Sequence, residues 1–210
     1  MHATIDSLTD AAPKRAMARK WRPVDIIVAA VLGIALGVVY WLWDTPGAAW
    51  FGAADAVTPG LGGIANGGWL IAGVVGALVV RKPGAALFVE LLAAVVEMGI
   101  GNQWGITTVY SGVAQGLAME IVFAIFLYRR FNLGVAMLAG AAGGFGEWAL
   151  ELVAFGNAQK SAAFNLIYLV SSAVSGAILA GLVGWLLVRA LAATGVLDRF
   201  AAGRRDKARV

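Results

Sequence analysis

The sequence predicts an all-α integral membrane protein, a bundle of six transmembrane helices with both termini in the cytoplasm. Three observations predict it. Only 13% of the residues are charged and 60% are hydrophobic, about half the charge of an ordinary soluble domain. The apolar residues come in runs of about 20, the length that crosses a bilayer as a helix, and lack the two-residue alternation of a membrane barrel. Finally, six spans would place fifteen of the sixteen Lys and Arg residues on one face and only Lys160 on the other. The excess of basic residues marks the cytoplasmic side.

Residues 1–23 form a basic tail holding Lys14, Arg15, Arg19, Lys20 and Arg22. The apolar segment behind it is too long for the core of a secretory signal, so it reads as the first span. That span, about 24–43, ends in Tyr40, Trp41 and Trp43, an interfacial aromatic anchor. Ala29, Gly33 and Gly37 recur in it at four-residue spacing, a small-residue stripe on which another helix can approach closely. It suits either a seam inside the fold or a docking face for another subunit. Residues 44–59, with Pro46, Gly47 and two aspartates, read as a long apolar loop able to lie over the membrane surface as a lid.

Span two, about 60–80, begins with five glycines together with Asn66 and Trp69. Span three, about 83–101, opens on Pro83, a residue suited to a first helical turn. The loop Asn102–Gly105 follows. Span four, about 106–128, carries Tyr110, Gln115 and Glu120 and stops at Arg129-Arg130. Span five, about 133–153, carries Glu147, Trp148 and Glu151, and a loop with Asn157 and Lys160 leads to span six, about 164–190. That last span starts with Asn165 and Tyr168 and passes Ser171, Ser172 and Ser175. A second basic tail, 191–210, closes the chain. The domain is therefore one membrane unit, 24–190. Its net charge of +4 points to anionic lipid headgroups around the tails and not to nucleic acid.

All five glutamates (90, 97, 120, 147 and 151) fall inside predicted spans, whereas the seven aspartates fall in tails, loops or at a span's edge. Carboxylates are costly within a bilayer and face a bundle interior, a cavity or a partner. The helical rise sorts them by depth. Glu97, Glu147 and Glu151 form an outer group, with Gln115 somewhat deeper. Glu90 and Glu120 form an inner group, expected to be structural and to bridge to Arg81, Lys82, Arg129 or Arg130. Asn66, Trp69, Trp104, Tyr110, Trp148, Asn165 and Tyr168 collect near the outer group. An apolar, aromatic-lined cavity with a few convergent polar groups is the usual build of a small-molecule site. Excess carboxylate and aromatic faces favour a cationic or flat ligand.

The sequence contains no cysteine, and its single histidine is His2. This removes thiolate metal sites and most histidine chemistry, and no metal or cofactor is expected. No GxxxxGK[ST], HExxH or GxSxG is present, so neither ATP hydrolysis nor the common hydrolytic chemistries belong to this chain.

The six spans, the GGW of span two, RKPGAALFVELLAAVVEMGIGNQWG, QGLAMEIVFAIFLYRR and the Glu147–Glu151 pair together resemble the YkoE family. These are substrate-binding (S) components of energy-coupling-factor (ECF) vitamin transporters. The resemblance covers about 24–190. It implies that thiamine or its hydroxymethylpyrimidine precursor is captured from outside, in the plasma membrane. It also implies a transmembrane coupling subunit and two ATPase subunits as partners, and it places the coupling surface on the span-one stripe Ala29, Gly33 and Gly37. The candidate substrate-binding residues, read from depth and chemistry, are those of the outer group: Asn66, Trp69, Glu97, Trp104, Tyr110, Gln115, Glu147, Trp148, Glu151 and Asn165. A non-enzymatic capture subunit is the reading carried forward. The alternative is a self-sufficient proton-coupled transporter of a small cationic or aromatic solute, since intramembrane acids can carry protons. Against it, no internal repeat of the kind common in such transporters is found. An intramembrane carboxylate enzyme and a purely structural subunit are the remaining classes.

Overall fold

The structure, a computed structural model, describes residues 20–197. Residues 1–19 and 198–210, and with them most of both basic tails, lie outside the described residues. The described secondary structure is all helical. Helix α1 spans Pro23–Val57 and is followed by a 3-10 segment, Leu61–Trp69, and by α2, Ile71–Val80. Then come α3 (Ala85–Ile100), α4 (Thr107–Ile125) and α5 (Leu133–Ala154). The last span is composite: α6 (Ala162–Ser175), a π-helical stretch (Gly176–Val183) and α7 (Gly184–Ala193). Five of the resulting units are long and apolar enough to cross a membrane, and α3, at 16 residues, is shorter.

Helix α1 begins where Asp25 accepts the Arg22 backbone N–H at 2.9 Å and binds the Arg22 guanidinium at 2.6 Å. Trp21 closes this end by donating its Nε1–H to the Pro83 carbonyl at 2.8 Å. The expected loop over 44–59 is not there: the helix continues through Pro46 to Val57. Its 35 residues make a rod of roughly 52 Å, well beyond the ~30 Å of a hydrocarbon core. Pro46 removes one helical hydrogen bond, but the close packing of Gly47 against Trp43 and Trp69 carries the helix through that turn. The segment read as a lid is therefore a rigid extension of the first span.

The stripe on α1 also resolves. Ala29, Gly33 and Gly37 are buried. A Cβ on Gly33 would fall 2.8 Å from Leu92, and one on Gly37 2.7 Å from the Ala93 carbonyl and Val96. The stripe is a packing seam between α1 and α3, not a surface open to another subunit. The outward face of α1 instead carries Ile27, Val31, Ile34 and Leu42, all exposed, as lipid contact requires.

The second span forms the centre of the bundle, with Ala72 through Val80 all buried. Its glycine-rich first half is a 3-10 segment rather than an α-helix. A Cβ on Gly63 would clash with Ser171 and Ser172, and one on Gly67 with Ser175, so the backbone lies directly against α6. Ser175 then accepts the Gly67 N–H at 3.0 Å and donates to the Ile64 carbonyl at 2.5 Å. The core combines small and β-branched side chains, among them Val74, Val79, Val89 and Ala139, with the larger Met119 and Phe123. Pro83 does not occupy the first turn as expected but lies two residues before the first residue of α3, whose N-cap is Gly84 in the left-handed region at φ 85°. Span four stops at Ile125, three residues early, and is closed by Leu127 and Tyr128 at positive φ.

Candidate functional site

At the end of the bundle away from Pro23, the C-terminal halves of α1, α3 and α5 diverge around the N-terminal half of α4. They enclose a cavity of about 530 Å³, within the usual range for small-molecule sites. Seven of the ten sequence-selected residues line it: Asn66, Trp69, Glu97, Trp104, Gln115, Glu147 and Glu151. They arrive from five separate segments, so the fold and not local sequence brings them together.

Three wall sectors differ in chemistry. The first is aromatic: Trp69 and Trp104 meet edge to face with ring centroids 5.4 Å apart. Trp43 contacts Trp69 at 6.1 Å and Trp50 at 5.9 Å, giving a continuous aromatic chain, and Phe51 adds a further ring from α1. Such edge-to-face contacts hold ring planes in a defined orientation.

The second sector is the α5 acid pair. Glu147 accepts from Gln115 Nε2 at 2.8 Å and from Ser111 Oγ at 3.2 Å. Glu151 accepts from Asn157 Nδ2 at 2.8 Å and from Tyr168 OH at 2.9 Å. The two glutamates lie one helical turn apart on the same face of α5. Lys160 lines the cavity on the Glu151 side, with its ammonium 4.0 Å from the Phe164 ring centroid.

The third sector is built on Glu97, which accepts from Asn102 Nδ2 at 3.0 Å. Asn102 also donates to Thr108 Oγ1 at 2.7 Å, while its own Oδ1 receives the N–H groups of Trp104 and Gly105. This fixes the turn that carries Trp104. Behind this sector Asp44, buried, accepts the Trp69 indole N–H at 2.9 Å.

Three selected residues lie elsewhere. Tyr110 is 53% exposed on the outside of α4. Trp148 packs on Phe145 with centroids 5.4 Å apart. Asn165 donates to the carbonyls of Asn157 and Ser161, supporting the loop behind the cavity. Sequence reasoning missed Asp44, Tyr40, Phe51, Ser111, Thr108, Asn157 and Lys160 as lining or supporting groups. Asp44 was hidden by its assignment to a loop. The depth of Tyr40 was masked by its position beside two interfacial tryptophans.

The inner acids are not paired with Arg or Lys within 4.0 Å among the described residues. Glu90, fully buried, accepts from Tyr40 OH at 2.9 and 3.0 Å and from the Gly73 N–H at 2.6 Å. Glu120 accepts the N–H groups of Gly84 at 2.6 Å and Ala86 at 2.9 Å, which makes it the cap of α3 supplied from another helix. The expected bridges to Arg81, Lys82, Arg129 or Arg130 are replaced by backbone and phenol donors, because helix starts offer unpaired N–H groups.

A bundle of apolar helices around a ligand-sized, acid- and tryptophan-lined cavity defines a solute-binding membrane protein. Residues 24–146 match the family model for the permease component of an ABC-type cobalt transport system. The chain is 38% identical over 192 residues to "Putative HMP/thiamine permease protein YkoE" of Bacillus subtilis (strain 168), covering 90% of this chain and 94% of that protein. A crystal structure of an S component of an ECF transporter superposes with a TM-score of 0.84 at 36% identity, covering 90% of this chain and 95% of the other. The chain belongs to the YkoE family of ECF S components.

Proposed function

We propose that this protein captures thiamine or its hydroxymethylpyrimidine precursor in the cavity between α1, α3, α4 and α5. The observation that carries the reading is the convergence of Glu97, Glu147, Glu151 and Gln115 with Trp69 and Trp104 on one ligand-sized space. Thiamine offers a permanently charged thiazolium and a flat aminopyrimidine. Tryptophan faces hold flat or cationic rings, and carboxyl and amide groups pair with ring nitrogens and the exocyclic amine. The relative's name points to the same two compounds. The cavity mouth faces the extracellular side and both termini face the cytoplasm. The protein supplies no ATP hydrolysis of its own: a transmembrane coupling subunit and two ATPase subunits supply the energy for release, as in S components of this class.

The test is equilibrium binding of both compounds to the purified protein, read by tryptophan fluorescence, with Glu97→Gln and Glu147→Gln alongside. Saturable binding to the native protein, weakened about tenfold or more by either substitution, is expected, since each takes away a carboxyl that lines the cavity. Absence of binding to well-folded protein would overturn the assignment.

A further inference from the structure

A second cavity, of about 600 Å³, lies between α1 and the turn that follows α3. Its polar wall is Trp41, Asp44 and Thr45 from α1 and Gly101, Asn102 and Gln103 from the turn. The acids of the larger cavity, Glu97, Glu147 and Glu151, do not line it. Two negative features meet here without a positive one. The first is Asp44, only 7% exposed. Its Oδ1 accepts the Trp69 indole N–H, and its Oδ2 meets no donor among the described residues. The second is the C-terminal end of α3, which has no basic residue in its last turn. The Gly101 N–H closes on the Glu97 carbonyl at 3.2 Å, and among the described residues neither Asn102 nor Gln103 returns a backbone N–H to the helix. The last carbonyls therefore keep the partial negative charge of an open helix end. Trp41 Nε1–H fixes the Gly101 carbonyl in the wall at 3.1 Å. No Lys or Arg lines this cavity, and the described ion pairs are those of Asp25 at the far end of α1. A buried carboxylate with an open oxygen is costly until a positive charge completes it.

We propose that the groove between Asp44 and the C-terminal end of α3 binds a small monovalent metal cation, with Na+ as its type. Asp44 supplies the charge, and the Gly101 carbonyl, the Thr45 hydroxyl and the Gln103 amide oxygen supply neutral ligands. Carbonyls at the C-terminal ends of interrupted helices hold Na+ in membrane proteins in this way. One carboxylate among neutral oxygens suits a monovalent ion. A calcium site draws on more acidic ligands, and no group of three or more such side chains is found among the described residues. An oxygen-only site needs neither cysteine nor histidine, so their absence from the membrane domain does not bear on it. The site is separate from the solute cavity and does not depend on which solute that cavity takes. It adjoins that cavity through the turn, because Asn102 holds both the Trp104 N–H and Glu97. An ion at Gly101 thus steadies the segment that carries Trp104.

The experiment titrates NaCl into the full chain in detergent, in mildly alkaline buffer free of alkali metals. N-methylglucamine chloride at equal ionic strength is the control. Thermal unfolding and tryptophan fluorescence are the readouts, since an ion that binds only the folded state raises its stability by mass action and Trp41 stands in the wall. A saturable response to Na+ and none to the large organic cation is expected. Asp44→Asn keeps an acceptor for Trp69 and removes the charge, and it should weaken the Na+ response about tenfold or more. Thr45→Val, at an exposed position, removes one neutral oxygen and should weaken it about fivefold, which keeps the test open if Asp44→Asn folds poorly. The Na+ response should persist at saturating hydroxymethylpyrimidine, a neutral compound that competes for space without adding charge. If that compound does not bind and Na+ does, the vitamin assignment falls and the cation site stands. Equal responses to the two salts, a Na+ response that neither substitution changes, or its loss when hydroxymethylpyrimidine binds would overturn the site.

Discussion

Glu90 is the residue on which the interior depends. Its carboxyl joins three elements: Tyr40 on α1, the Gly73 amide on α2 and its own helix, α3. Tyr40 in turn accepts the Ala72 N–H at 2.9 Å. Removing one member leaves buried donors without acceptors, and each such group costs about 1–3 kcal/mol. Glu90→Ala strands the Tyr40 hydroxyl and the Gly73 N–H, so it should destabilise by about 2–5 kcal/mol. Thermal unfolding in detergent should show a large drop in midpoint, while Glu90→Gln, which retains an acceptor, should lose less. Glu120→Ala should cost about 0.5–2 kcal/mol, the usual loss of a helix cap, and a Tm equal to that of the native protein would contradict its capping role.

At the scale of elements, the position of acids inside spans was legible in the sequence because a carboxylate within a long apolar run is too costly to stand there without a partner or a cavity to face. The conformation of glycine-rich and proline-containing stretches was not. Residues 44–47, Asp-Thr-Pro-Gly, have the composition of a turn, and in water that composition would end a helix. Here Gly47 packs directly against Trp43 and Trp69, so α1 runs on and brings Phe51 to the cavity. The opposite error concerns span two, where composition suggested an ordinary helix and contact with α6 imposes a tighter one. Two glycines separate packing from propensity. Gly67→Ala drives a Cβ into the Ser175 carbonyl, so it should lower stability by about 1–3 kcal/mol. Gly52→Ala, in α1 with nothing within 4 Å, should be neutral or stabilising by about 0.4–1 kcal/mol. Paired thermal melts check both, and equal effects would mean that the 3-10 segment is not held against α6.

For the whole molecule, orientation is the property that composition argues most strongly and geometry does not supply. From the charge pattern we propose that Arg129 and Arg130 face the cytoplasm and that the Asn157–Lys160 turn, which borders the cavity, faces outside. A capture protein needs that sense, because a cavity opening inward would present its carboxyls to the wrong pool of solute. Native cysteine is absent, so single cysteines report topology without background. Gln159→Cys and Arg130→Cys both replace exposed residues. In intact cells a membrane-impermeant maleimide should label the first and spare the second, and permeabilisation should make both reactive. The reverse pattern would invert the positive-inside assignment. It would also turn the cavity toward the cytoplasm, leaving a well-formed binding site with no route for uptake.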